Sequence, residues 1–252
     1  DWAHFNTAQR KLVEDALRDF RLAGVDLPAD KKARFRELMQ QLSKLEAKFE
    51  ENILDATQGW SRHITDAARL EGIPTTALEQ ARQAAASRKL EGHVFTLDYP
   101  SYAAVVTYAD DRALREEMYQ AYATRASDQG PSAGRWDNTQ TMRDILRLRH
   151  EAATLIGFTD YAAYSLASKM ARSADEVVNF LQDLVTRCRT AGRHEYMELC
   201  EYALERDGVT GLQAWDIGYY AEKLKLERHA IDDEMLRSYF PVPRVMQGLF
   251  EI

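Results

Sequence analysis

Residues 28–57 read PADKKARFRELMQQLSKLEAKFEENILDAT. Pro28 suits the first position of a helix, where its missing N–H costs nothing, and Asp30 complements the helix dipole from the first turn. Phe35, Leu38, Leu42, Leu45, Phe49 and Ile53 then recur at alternating three- and four-residue spacing. That spacing holds a narrow apolar stripe on one side of a helix, as in a coiled coil. The helix would be roughly 45 Å long at about 1.5 Å per residue. A first amphipathic helix, from Thr7 to about Leu22 and ended by Gly24, precedes it across a short loop. The stripe is therefore expected to close an intramolecular hairpin with that helix. The rival reading makes it a docking face for a partner.

Helical signals continue through the chain. A helix from about Pro74 to Leu90 has Thr76 and Glu79 at capping-box spacing, and others open near Ser101, Asp111 and Asn138. Ser173-x-x-Glu176 is a capping box opening a long helix to about Arg206. Trp215 to about His229 forms the next, and Asp232 caps a short one before Tyr239-Phe240-Pro241. Two short β-prone stretches, Trp60–Thr65 and His93–Leu97, are expected to pair as an antiparallel ribbon. The least helical stretch, Ser127 to Trp136, reads as a surface connector before it reads as a ligand-facing loop. The fold class is mainly α: a multi-helix array with a long N-terminal helical hairpin and one small two-stranded antiparallel ribbon.

The 252-residue chain is 45% hydrophobic and carries a net charge of −7. That balance argues against nucleic acid as a partner, because phosphate binding rests on clustered Lys and Arg. Basic residues alternate with acidic ones, as in Lys44-Leu45-Glu46-Ala47-Lys48, which is a solvated helix face. No apolar run approaches the roughly 20 residues that span a bilayer, so no membrane is expected. Cys188 and Cys200 fall in one helix, roughly 18 Å apart by its rise. They cannot pair, and reduced thiols point to the cytoplasm. The chain opens on Asp1 and closes on the apolar run from Val245 to Ile252, and both ends read as cuts through a longer polypeptide.

Candidate chemistry is sparse. The histidines are His4, His63, His93, His150, His194 and His229, and the closest two are 30 residues apart. Two zinc ligands on one helical face need a spacing of one turn, as in H-E-x-x-H. After His150-Glu151 come Ala152, Ala153 and Thr154, so the second imidazole is missing. His194-Glu195 is followed by Glu198 at that position, a pair expected to be an ordinary surface pair rather than the core of a helical metal carrier. No G-x-S-x-G elbow and no glycine-rich phosphate loop is present. The pairs Tyr119/Tyr122, Tyr161/Tyr164 and Tyr219/Tyr220 have hydroxyls suited to peptide carbonyls along a channel. Packing at helix crossings accounts for them more simply.

A resemblance adds to this reading. It rests on Leu148-Arg149-His150-Glu151-Ala152-Ala153-Thr154-Leu155-Ile156-Gly157-Phe158, on Tyr164-Ser165-Leu166-Ala167-Ser168-Lys169-Met170-Ala171 and on Trp215-Asp216-Ile217-Gly218-Tyr219-Tyr220. Ile231-Asp232-Asp233-Glu234, Leu236 to Pro241 and Gly248-Leu249-Phe250-Glu251 continue it, and Thr96 to Tyr102, Arg115 to Tyr119 and Thr124 to Gly130 precede it. Together these segments resemble the thimet oligopeptidase family of zinc peptidases, on its bacterial branch. The resemblance implies a mostly helical protein with two lobes flanking a deep channel, in which zinc held by H-E-x-x-H and a later Glu serves the cleavage of short peptides. That motif would lie beyond Ile252. No catalytic residue and no metal ligand is therefore carried onto this chain, and the substrate-binding residues stay unassigned. Zinc is expected in the full-length parent and is ligated by nothing here. Residues 1–110 are expected to form the hairpin, ribbon and connecting helix, and 111–252 a helical channel-wall region continuing into the catalytic part. The expected partners are short peptides, for a parent that is monomeric. The piece alone is expected to be inactive, and apolar surface exposed where a missing half would dock is a route to self-association. The alternative is a non-catalytic helical protein-interaction module with its groove along the Phe35–Ile53 stripe.

Overall fold

A computed structural model describes residues 2–231, 235–236 and 238–251. In chain order the helices are α1 (Thr7–Leu22), α2 (Ala29–Gln58), α3 (Thr75–Ser87), α4 (Tyr99–Tyr108), α5 (Arg112–Ala123), α6 (Thr139–Leu155), α7 (Tyr161–Leu166), α8 (Ala174–Asp207), α9 (Ala214–His229) and α10 (Val242–Phe250). The strands β1 (Ser61–Ile64) and β2 (His93–Thr96) lie between α2 and α4. The protein is mainly α with one small antiparallel ribbon, as its sequence predicts. It divides into two compact units, Asp1–Asn52 with Asp137–Thr190, and Ile53–Trp136 with Ala191–Ile252.

In the first unit, α1 begins at a reciprocal cap. The Asn6 side chain accepts the Gln9 N–H and the Gln9 side chain accepts the Asn6 N–H, each at 2.9 Å. It ends in a Schellman arrangement, with the Val25 N–H on the Phe20 carbonyl at 3.0 Å and Gly24 at φ +76°. A Cβ on Gly24 would stand 2.8 Å from the Phe35 ring, so both backbone sign and space demand glycine there.

The stripe on α2 finds a partner other than the expected one. Phe35, Leu38 and Leu42 are buried with Ile145, Leu148 and Ala152 of α6, while Leu45 and Phe49 pack half-buried against the same cluster. Helix α1 buries none of its side chains. Local adjacency favours α1, but the buried apolar residues that meet the stripe come from α6, and each buried Leu or Phe contributes about 1.5–3 kcal/mol. Ion pairs Arg34–Glu151 at 2.6 Å and Arg149–Glu46 at 2.7 Å flank this seam. The buried Asn52 amide donates to Asn138 Oδ1 at 2.8 Å, and Asn138 Nδ2 donates to the Phe49 carbonyl at 3.0 Å. Asn138 occupies the N-cap of α6 yet spends its side chain on α2, and Asp137 takes the Thr139 N–H at 2.8 Å. At α8, Ser173 Oγ accepts the Glu176 N–H at 3.1 Å, while Glu176 reaches back to the Arg172 N–H rather than that of Ser173.

In the second unit, Ser61 pairs with Thr96 and Ile64 with His93 in an antiparallel register. Helix α3 lies on β2, its small Ala81 and Ala85 buried. The core gathers Ile64, Leu70, Ile73, Phe95, Leu97, Val105, Leu114 and Met118. A second cluster joins Leu199 and Ala203 of α8 to Leu212, Tyr219 and Tyr220. The expected Thr76–Glu79 box does not mark the start of α3. Pro74 is the N-cap, which moves Thr76 inside the helix, and Glu79 pairs with Arg82 at 2.8 Å instead. Helix α4 starts at Tyr99, two residues before Ser101, because Pro100 fits its first turn. Asp111 caps α5 by accepting the Leu114 N–H at 3.1 Å. The Asp232 cap lies outside the described residues.

Candidate functional site

The strongest concentration of buried charge lies in the second unit, where the first turns of α5 and α9 meet. Asp216, three residues into α9, is wholly withdrawn from solvent. Its Oδ2 accepts the Gln213 N–H at 3.0 Å, closing the cap of α9. Arg112 forks onto both carboxylate oxygens, with Nη2 at 2.7 Å from Oδ2 and Nε at 3.0 Å from Oδ1. Arg115 adds a bond to Oδ1 at 3.0 Å and donates to the Ala109 carbonyl at 2.7 Å. The Arg115 guanidinium carbon stands 3.9 Å from the Tyr219 ring centroid. That ring's hydroxyl donates to Asp110 at 2.7 Å, and Lys223 reaches the same oxygen at 3.0 Å.

Electrostatics follow from this packing. Burial alone would push the Asp216 carboxyl up; hydrogen bonds from Arg112, the Gln213 amide and Arg115 outweigh it and hold the group below the ordinary carboxylate range. Burial also opposes ionisation of Asp110, and Tyr219 and Lys223 again win. The Tyr219 phenol is driven far above its ordinary value by burial and by its bond to Asp110. Tyr220 is pushed up to about 12 by burial and its bond to Asp207. A carboxylate saturated by two guanidiniums and an amide has no lone pair for base catalysis. The cluster clamps α9 to α5 and to the turn before it.

The tyrosines singled out in the sequence are distributed, not gathered. Tyr161 and Tyr164 lie in the first unit, 5.7 Å apart between centroids, with Arg149 over the Tyr161 ring at 4.9 Å. In the second unit Tyr122 stacks on Tyr102 at 3.8 Å, Tyr119 leans on Trp215 at 5.9 Å, and Tyr219 meets Tyr220 edge-on at 5.0 Å. Each is engaged in packing within its own unit.

The histidines do not converge either. His63 is bonded to the Glu91 carbonyl at 2.5 Å, while His150 lies on α6, His194 on α8 and His229 at the end of α9. Glu198, which shares a helix face with His194, pairs with Arg228, and that bond holds its carboxyl below the ordinary range. The pair borders a groove of about 430 Å³ between α8 and α9, floored by Leu199, Ile217 and Leu224. Among the described residues no three His, Cys, Asp or Glu side chains gather where a metal ion could be held. The described residues do not fit a zinc centre. Cys188 and Cys200 are both free on α8.

The Asp216 cluster was not marked by sequence reasoning, although Asp216 and Tyr219 fall inside a segment that carries the family resemblance. Little signal was available, because Arg112-x-x-Arg115 is flanked by Asp110, Asp111, Glu116 and Glu117 and reads as a locally paired basic pair. Their partner lies 101 to 104 residues away.

Comparison with known proteins identifies the surroundings of this cluster. The model of peptidase family M3 matches residues 105–252. Oligopeptidase A of Escherichia coli (strain K12) is 51% identical over 251 residues, which is all of this chain and 37% of that protein. Oligopeptidase A of Haemophilus influenzae is 50% identical over 252 residues, again 37% of its length. The dipeptidyl carboxypeptidase of Escherichia coli is 28% identical over 246 residues, 95% of this chain and 35% of that protein. The chain thus spans little more than a third of the length of these relatives. With the family model matched over more than half of its residues, the chain belongs to peptidase family M3.

Proposed function

We propose that this chain is part of a zinc metallo-oligopeptidase that hydrolyses short peptides, and that it supplies scaffold and part of the substrate channel. The observation that carries the reading is 51% identity across the whole chain to an oligopeptidase of which it covers 37%. An identity of that level without a gap in coverage supports the same architecture and the same role within it. The chemistry of cleavage belongs to residues outside these 252. The scattered histidines and the neutralised Glu198 and Asp216 support that division, because none offers a free base beside an open metal position.

On this reading the isolated chain is inactive, the parent acts as a monomer in the cytoplasm, and substrates are peptides narrow enough to enter a channel. No helix among the described residues is long and apolar enough to cross a membrane, which agrees with that placement. The test is cleavage of a fluorogenic oligopeptide by the purified 252-residue chain, with and without chelator, beside the parent read in frame past Ile252. The reading expects chelator-sensitive turnover from the parent alone. Turnover by the short chain, or a reading frame that closes soon after Ile252 without H-E-x-x-H, overturns it.

The alternative, a non-catalytic interaction module, rested on an open groove along the Phe35–Ile53 stripe. Helix α6 covers that stripe at Phe35, Leu38 and Leu42, and a groove of about 520 Å³ lined by Phe49, Met142, Ile145 and Leu146 is the surface the alternative would use.

A further inference from the structure

We draw no further inference here: the strongest candidate, the apolar face of the first half of α8 carried by Val178, Phe180, Leu181, Leu184 and Val185, stands exposed within its unit, and nothing in the structure shows what covers it.

Discussion

Arg115 and Asp216, 101 residues apart in sequence, meet at 3.0 Å with side chains only 1% and 0% exposed. Two charges withdrawn this far lose several kcal/mol of hydration each, and only a complete set of partners compensates. Here Arg112, the Gln213 amide and the Ala109 carbonyl supply most of that set, and Arg115 Nε alone of the pair's polar atoms is buried without a hydrogen-bond partner.

Removing one partner should therefore cost far more than the pair itself contributes. We predict that Asp216→Asn, which strands the buried Arg115 charge, lowers unfolding stability by about 3–5 kcal/mol, and that Arg115→Met, which leaves Asp216 its fork to Arg112, costs less. The double replacement should cost clearly less than the sum of the two. Arg187→Ala removes an ion pair whose side chains are 74% and 57% exposed and should stay within about 0.5 kcal/mol. Urea denaturation of all four proteins checks this, and additivity of the first two would contradict it.

The same carboxylate sets a pH dependence. The folded pKa of Asp216 is depressed, so its contribution is present above the unfolded value of about 3.9 and is lost as pH falls through the folded value. The stability gap between wild type and Asp216→Asn should be full at pH 7 and narrow progressively below about pH 4. Denaturation curves at pH 7, 4 and 3 measure it; a gap that holds constant would show that Asp216 is not the titrating group.

The partner of the α2 stripe can be tested by coupling. Leu38 is fully buried, and Leu38→Ala should cost about 2–5 kcal/mol. Combined with Leu148→Ala on α6 it should deviate from additivity by at least about 0.5 kcal/mol, and combined with Leu17→Ala on α1 it should not. Coupling to Leu17 instead would place α1 rather than α6 on the stripe.

A steric prediction concerns Gly59, where a Cβ would stand 2.1 Å from the Trp136 ring and 2.8 Å from the Asp55 carbonyl. Gly59→Ala should destabilise by about 1–3 kcal/mol. Trp136→Leu in the same chain should recover part of that loss. Near-ultraviolet circular dichroism reports the displaced indole, and an unchanged spectrum with unchanged stability would contradict the contact.

These cases also show what a single sequence makes legible. The bounds of α1 were readable at both ends because the Gly24 terminator and the amphipathic period act within a few residues. The ribbon was readable because β-prone runs at Trp60 and His93 stand out from helical surroundings. The choice between α1 and α6 as partner of the stripe was not, since both present apolar faces and only packing decides between them. The Asp216 clamp was hidden for the same reason: Arg112 and Arg115 look like any exposed basic pair until the chain returns after a hundred residues. Thr76 does not cap α3 because Pro74 takes the cap two residues earlier.

The account stands or falls on where the reactive machinery resides. The most direct measurement is zinc content after dialysis, together with chelator-sensitive cleavage of a fluorogenic peptide, for the purified 252-residue chain and its His194→Ala variant. We predict zinc far below one ion per chain and no cleavage above buffer for either protein. One zinc per chain that is lost with His194, accompanied by chelator-sensitive cleavage, would contradict the account.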